Sequence, residues 1–218
     1  RLWWHRGLTA LAQGRATEAV DWLDAVYTEL PGEVPAKLAL ALAHEQAGDL
    51  ARSAGLYDTA SRTDPSYVSG GFGLARVRVA LRDREGAVDA LGRVPAASSA
   101  PVAARLAAVR ALASTTWPHA APPTAEQLER ASTILTGLRL APRHHAQLAG
   151  ELFEAGLAAL AAGTPTSGRR ILGRPLTESA LRAGLESAYR DIARTATTPR
   201  ERNDMVDRAN RVRPRTLL

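Results

Sequence analysis

The sequence predicts an all-α protein, a right-handed α-solenoid of stacked antiparallel helix pairs closed by C-terminal helices that do not repeat. Three observations carry that expectation. Features recur at a spacing of thirty-four residues: Gly14 returns as Gly48, Pro31 as Pro65, Leu23 as Tyr57 and Val26 as Ala60. The apolar content is mostly alanine and leucine, which favour helix, while β-branched and aromatic runs of strand type are absent. Glycines and prolines fall where a pair of short helices has to turn and stop.

The first two units, from Arg1 to Pro65, follow the tetratricopeptide repeat (TPR) pattern. Trp3 takes the first aromatic position and Gly7 the small position of the first helix. Gly14 makes the turn, Ala19 is the small residue of the second helix, Leu23 is its bulky partner, and Pro31 closes the unit. Ala41 and Ser53 hold the small positions of the second unit, where helices cross closely. Each pair is too small to bury its own apolar face, so neighbours must stack. A third unit runs from Pro65 to about Val94 in the same register, with Leu74, Ala75, Ala87 and Leu91 at the expected places. Arg82 stands where its turn glycine belongs, and the early Pro95 predicts a short second helix. A fourth pair begins with a helix over about 102–113. It continues through an extended loop, Ser114 to Pro123, that contains Trp117. Thr124 and Gln127 have capping-box spacing, and Leu128, Ala131, Leu135 and Leu138 share the face of the helix that follows.

Residues 1–142 are therefore read as TPR and degenerate TPR units. Beyond Pro142 the register is lost but helices continue, over 143–162, from Thr177 through Ile192, and from Thr198 to about Val212. Gly163, Pro165 and Gly168 break the first of these, and a loop with Arg169, Arg170 and Arg174 precedes the second. Thr198, Pro199 and Glu201 combine a capping box with proline at the first helical position. Residues 143–218 are expected to cap the same solenoid, as one continuous domain.

Composition excludes several function classes. With 45% hydrophobic and 23% charged residues the 218-residue chain folds. It has no cysteine, hence no disulfide and no thiolate metal site. The longest apolar runs, such as Leu38 to Ala43, fall far short of the roughly 18–20 residues of a membrane span, and a cytoplasmic location is expected. Arg1 in place of an initiator methionine marks an expected piece of a longer protein. The net charge of +6 is nearly all arginine, since Lys37 is the only lysine. Such a balance suits nucleic acid or an acidic partner, but no basic run is interleaved with aromatics, so no nucleic-acid role is expected.

The residue patterns of catalysis and metal binding are missing. The histidines lack metal-ligand company; the adjacent His144 and His145 point about 100° apart on a helix. His44 beside Glu45 reads as a hydrogen-bonded packing histidine rather than an acid–base pair. Ser98, Ser99, Thr115, Thr116 and Ser167 have no base in a recognisable motif, and Gly71-Phe72-Gly73 lies inside a repeat helix, away from any phosphate cradle. No catalytic residue, metal or cofactor is assigned to this chain.

The constellation that remains is a groove. First helices of successive units line a concave face at Trp4, His5, Leu8, Leu38, Leu42, Phe72 and Arg76. A TPR that clamps an acidic peptide terminus needs Lys, Asn and Arg at several of these positions, and most are apolar here. Either the face is a partner groove anchored by Trp4, Phe72 and Arg76, or another part of the same protein covers it. The second is preferred, because a large exposed apolar patch is unusual unless it is used. Trp3 is expected in the core, and Trp22 and Trp117 in packing. Arg169, Arg170 and Arg174 offer a site to an acidic partner or phosphate, or simply solvate a loop and cap carbonyls.

Five stretches point further: Trp4 to Gly7, GGFGLARVR from Gly70, REGAV from Arg84, ILGRPLTESALRAGLESA from Ile171 and MVDRANRVRP from Met205. Their order resembles the C-terminal TPR domain of actinobacterial protein kinase G, a family of serine/threonine kinases, over essentially the whole chain. The last two stretches are its specific part. The resemblance implies a parent that uses ATP and magnesium to phosphorylate Ser or Thr of proteins. It gives this chain a stabilising and regulatory role, with the kinase domain of the same polypeptide, a second protomer, and a substrate or regulator protein as partners. The alternative is a stand-alone TPR adaptor, or the sensor domain of a transcriptional regulator, with a peptide in the groove.

Overall fold

The structure, a computed structural model, describes residues 1–115, 121–166 and 168–214. Thr116, Trp117 and Ser167 lie outside the described residues. The chain divides into two compact units, Arg1–Ala108 and Val109–Leu218, taken in turn below.

In the first unit α1 (Leu2–Ala12) pairs with α2 (Ala16–Glu29), α3 (Val34–Gln46) with α4 (Leu50–Thr63), and α5 (Val68–Ala80) with α6 (Arg84–Gly92). Each second helix also packs on the next first helix, α2 on α3 and α4 on α5. The turns within pairs show why the register is kept. Gly14, Gly48 and Arg82 occupy the same slot, with φ of +71°, +84° and +63°. Glycine takes this left-handed backbone freely; arginine does so against its Cβ. Arg82→Gly is therefore expected to stabilise the unit by about 0.5–1 kcal/mol, after allowing for the more flexible unfolded chain. A lower urea midpoint would contradict this. The next residue is the helix N-cap: the Asp49 carboxylate accepts from the Arg52 N–H at 3.1 Å and Asp83 from the Gly86 N–H at 2.8 Å.

Small residues stand where the helices touch, as the pattern requires. A Cβ on Gly7 would come within 2.6 Å of Leu23, and one on Gly73 would collide with the Tyr57 ring. Ser53 is fully buried and its hydroxyl donates to the Ala41 carbonyl at 2.8 Å, joining α4 to α3. Ala19, Leu23, Leu40 and Ala43 form the adjoining core, with Trp4 and Leu42 packed against it. Lys37, the only lysine, is buried too, its ammonium donating to the Pro31 carbonyl. The short α6 agrees with the early Pro95, and Arg93 beyond its end donates to Asp58 and Ser61 of α4.

Trp3 departs from expectation: it is 39% exposed, not core. Its register partners Lys37 and Gly71 are buried on α3 and α5, which carry α2 and α4 against them.

α7 (Pro101–Ala113) runs through the division into the second unit, which continues with α8 (Ala125–Thr136), α9 (Pro142–Ala161), α10 (Glu178–Arg194) and α11 (Pro199–Val212). Thr124 and Gln127 form the full capping box of α8. Leu128, Ala131, Leu135 and Leu138 are buried together as their spacing requires. α9 packs on α8 and α10, and α10 on α11. The box at α11 is half made: Thr198 accepts from the Glu201 N–H, but the Glu201 carboxylate turns to the Thr197 N–H and to Arg143.

The segment read as an arginine loop contains a hairpin, β1 (Arg170–Ile171) against β2 (Arg174–Pro175). Leu172 and Gly173 make its turn, both at positive φ, as a two-residue hairpin turn demands. Ile171 is fully buried against α9, where a Cβ on Gly156 would approach it to 2.8 Å, and the Leu172 N–H donates to Ser132 Oγ at 2.7 Å.

Candidate functional site

The candidate site lies in the first unit, on the face shared by α1, α3 and α5. Residues four and seven along a helix fall on one side, and the repeat carries each such position from helix to helix. Three rows result: Trp4, Leu38 and Phe72; Leu8, Leu42 and Arg76; Leu11, Glu45 and Val79. Trp4, Leu38, Leu42 and Phe72 are half-buried, while Leu8 and Arg76 are exposed. His5 is exposed beside Trp4. The expected residues thus present a largely apolar surface with its inner edge on the core.

Arg76 does not stand free. Its Nε donates to Glu45 Oε1 at 2.5 Å and its Nη2 to Glu45 Oε2 at 2.7 Å, a two-pronged pair between α5 and α3. The Tyr57 hydroxyl of α4 donates to Glu45 Oε2 at 3.1 Å and accepts from Arg76 Nη2 at 3.3 Å. Burial, reinforced by the Glu45 charge, pushes the Tyr57 phenol well above its usual pKa. Hydrogen bonding to Glu45 likewise holds the Arg76 guanidinium charged. Sequence reasoning misses Glu45 as a member of the face. A signal for it exists, since Glu45 is the acidic exception in its row as Arg76 is the basic exception in the adjacent one.

Neighbouring features explain themselves by packing. His44 is buried with Nδ1 3.5 Å from Asp49 Oδ2; burial lowers its pKa and Asp49 opposes that. Trp22 is half-buried, with the Arg6 guanidinium 4.9 Å above its ring. A cleft of about 300 Å³ opens beside Trp3 and Trp4, between Val26, Leu30 and Pro35. In the second unit Arg169 pairs with Glu129 of α8, and Arg170 Nε donates to the Gly173 carbonyl at 2.9 Å within the hairpin turn. Arg174 is half-buried on β2. Arg169 and Arg170 of the basic loop thus each have a partner within this unit. Among the described residues no three His, Asp or Glu side chains gather as metal ligands, and no helix is long and apolar enough to cross a membrane.

Comparison with known proteins identifies the family. The family model described as protein kinase G tetratricopeptide repeat matches residues 1–216. The chain belongs to this family. The protein kinase G repeat chain is 35% identical over 218 residues to the serine/threonine-protein kinase PknG of Mycobacterium leprae, covering 100% of this chain and 28% of that protein. It is 34% identical over 214 residues to PknG of Mycolicibacterium smegmatis, covering 98% of this chain and again 28% of the relative. The chain therefore spans about 28% of the length of these relatives. Among solved structures, yeast Tom70 superposes with a TM-score of 0.54 at 16% identity over 96% of this chain and 39% of its own. A MamA mutant superposes with a TM-score of 0.50 at 18% identity over 97% and 95%. Both show the fold alone, an all-α solenoid of helix pairs. As a kinase G repeat domain the chain is a protein-interaction scaffold and not a catalytic module.

Proposed function

We propose that this chain is the regulatory and interaction scaffold at the C-terminus of a serine/threonine protein kinase of the protein kinase G type. The observation that carries the reading is the family match over residues 1–216, joined to relatives named as serine/threonine kinases. The parent would transfer phosphate from ATP, with magnesium, to Ser or Thr of proteins in the cytoplasm. In this reading the helices beyond residue 142 close the repeats as a cap. The face of α1, α3 and α5 is covered by another part of the same polypeptide, the kinase domain foremost. Self-association, or contact with a substrate or regulator protein, is the further use of the scaffold. Nucleic acid is not a partner in this reading, which the pairing of arginines with carboxylates within each unit supports.

Two experiments test it. The purified chain, mixed with ATP, magnesium and a protein substrate, is expected to transfer no phosphate, whereas the intact polypeptide transfers it. Transfer by the chain alone, or none by the intact polypeptide, would contradict the proposal. Trp4→Ala and Phe72→Ala are each expected to weaken binding of the chain to the rest of the polypeptide by about 2 kcal/mol, as buried aromatic anchors do. Titration calorimetry measures this, and unchanged affinity in both variants would remove the face from the proposal.

A further inference from the structure

The face of α1, α3 and α5 carries two charged side chains in its three rows, and they neutralise each other. At the register positions of Glu45 the neighbouring repeats have Leu11 and Val79; at those of Arg76 they have Leu8 and Leu42. An arginine on such a face would ordinarily attract the carboxylate of an acidic segment or a chain terminus, since its planar fork matches both carboxylate oxygens. Here the Nε–Nη2 edge of that fork is already taken by Glu45. Glu45 is the more enclosed partner, its side chain 16% exposed against 55% for Arg76. It is held from behind by the hydroxyl of Tyr57, which is itself 3% exposed. The Tyr57 ring packs against Gly73, where an added Cβ would collide with it. The pair is thus backed by a buried tyrosine, and Glu45 is its more enclosed member.

We propose that Glu45 sets the class of segment this face accepts: by occupying Arg76 it excludes acidic segments and selects an uncharged, apolar one read by its side chains. This deepens the proposed function and rests on its reading of the face as a binding surface. Charge matching argues for such an occupant. Trp4, Leu38, Phe72, Leu8 and Leu42 offer apolar contact, and a carboxylate brought to Arg76 would meet the Glu45 charge at the same place. The source to which this commits is another part of the same polypeptide, in keeping with a chain that matches only 28% of its relatives' length.

Two peptides test the proposal against the full 218-residue chain by fluorescence anisotropy. One is a short blocked helix of leucine, alanine, glutamine and serine; the other is the same peptide ending in two aspartates with a free carboxylate. The wild-type chain is expected to bind the blocked peptide about tenfold more tightly than the acidic one, the scale of a single charge-assisted hydrogen bond. Glu45→Gln keeps a partner for the Tyr57 hydroxyl and frees Arg76, so it is expected to erase or invert that preference. Glu45→Gln with Arg76→Gln should restore it. Circular dichroism on each variant confirms that the helices persist. Equal wild-type affinity for the two peptides, or a preference unmoved by Glu45→Gln, would overturn the role of Glu45. Binding of neither peptide, or binding indifferent to Phe72→Ala, would instead overturn the reading of the face on which the proposal stands. A blocked peptide that binds but fails to compete with the rest of the polypeptide would overturn the assigned source.

Discussion

Tyr57→Ala is expected to destabilise the first unit by about 3–5 kcal/mol, the range for removing a large buried ring. Three separate losses add up at this site. The ring is 3% exposed and fills the space between α3, α4 and α5 in the position that Leu23 and Leu91 hold in the adjoining pairs. Gly73 leaves a hollow shaped to the ring, so the vacated space cannot be refilled by a neighbour's Cβ. Its hydroxyl ends on the Glu45 carboxylate, which loses one of its donors. Tyr57→Phe separates these contributions: it keeps the packing and removes the hydroxyl, for about 1 kcal/mol. Chemical denaturation followed by circular dichroism measures both. Equal losses for the two variants would mean that packing between the pairs is not what holds them in register.

The second large effect is expected in the other unit, where Phe153 of α9 lies against Gly184 of α10. A Cβ on Gly184 would stand 2.6 Å from the ring, closer than packed carbon atoms tolerate. Phe153→Ala is expected to cost about 3–5 kcal/mol and Gly184→Ala about 1–3 kcal/mol, one by emptying the space and the other by overfilling it. The two must be strongly coupled, because the clash exists only while the ring is present. In the Phe153→Ala background the added methyl should cost little or even recover stability. Additive losses in the double variant would contradict the close approach of α9 and α10.

Much of the first unit is legible because its constraints are local and recur. A turn needing positive φ every thirty-four residues, a small residue at each crossing and a bulky one opposite it all leave marks in composition. Even the exception keeps its slot, with Arg82 taking the backbone angle that Gly14 and Gly48 take. Trp3 misleads because its repeat position says which side of α1 it occupies, but not how deeply that side is buried. The hairpin at Arg170 to Pro175 is illegible for a different reason. Two-residue strands carry no alternation, and the fold of this segment is imposed from outside by the burial of Ile171 against α9, by Ser132 and by the pairing of Arg169 with Glu129. Glu201 shows the same limit on a smaller scale: capping-box spacing is present, but Arg143 competes for the carboxylate.

The candidate face is legible as rows and not as chemistry. Position along the repeat selects Trp4, Leu8, Leu38, Leu42, Phe72 and Arg76, and by that position Arg76 would anchor a partner. Only the placement of α3 beside α5 reveals that Glu45, thirty-one residues earlier, already satisfies it. A long-range pair of this kind breaks the apolar pattern of two rows at once, which is how such a pair can be sought in other repeat sequences.

Hydroxyl-radical footprinting of the intact polypeptide, compared with the isolated chain, tests most directly whether the face of α1, α3 and α5 is the contact surface. Trp4, Leu8, Leu38, Leu42 and Phe72 are expected to lose reactivity in the intact protein, while Trp22 and Leu56 on the second helices keep theirs. Protection confined to the second helices, or no change along the first ones, would contradict it.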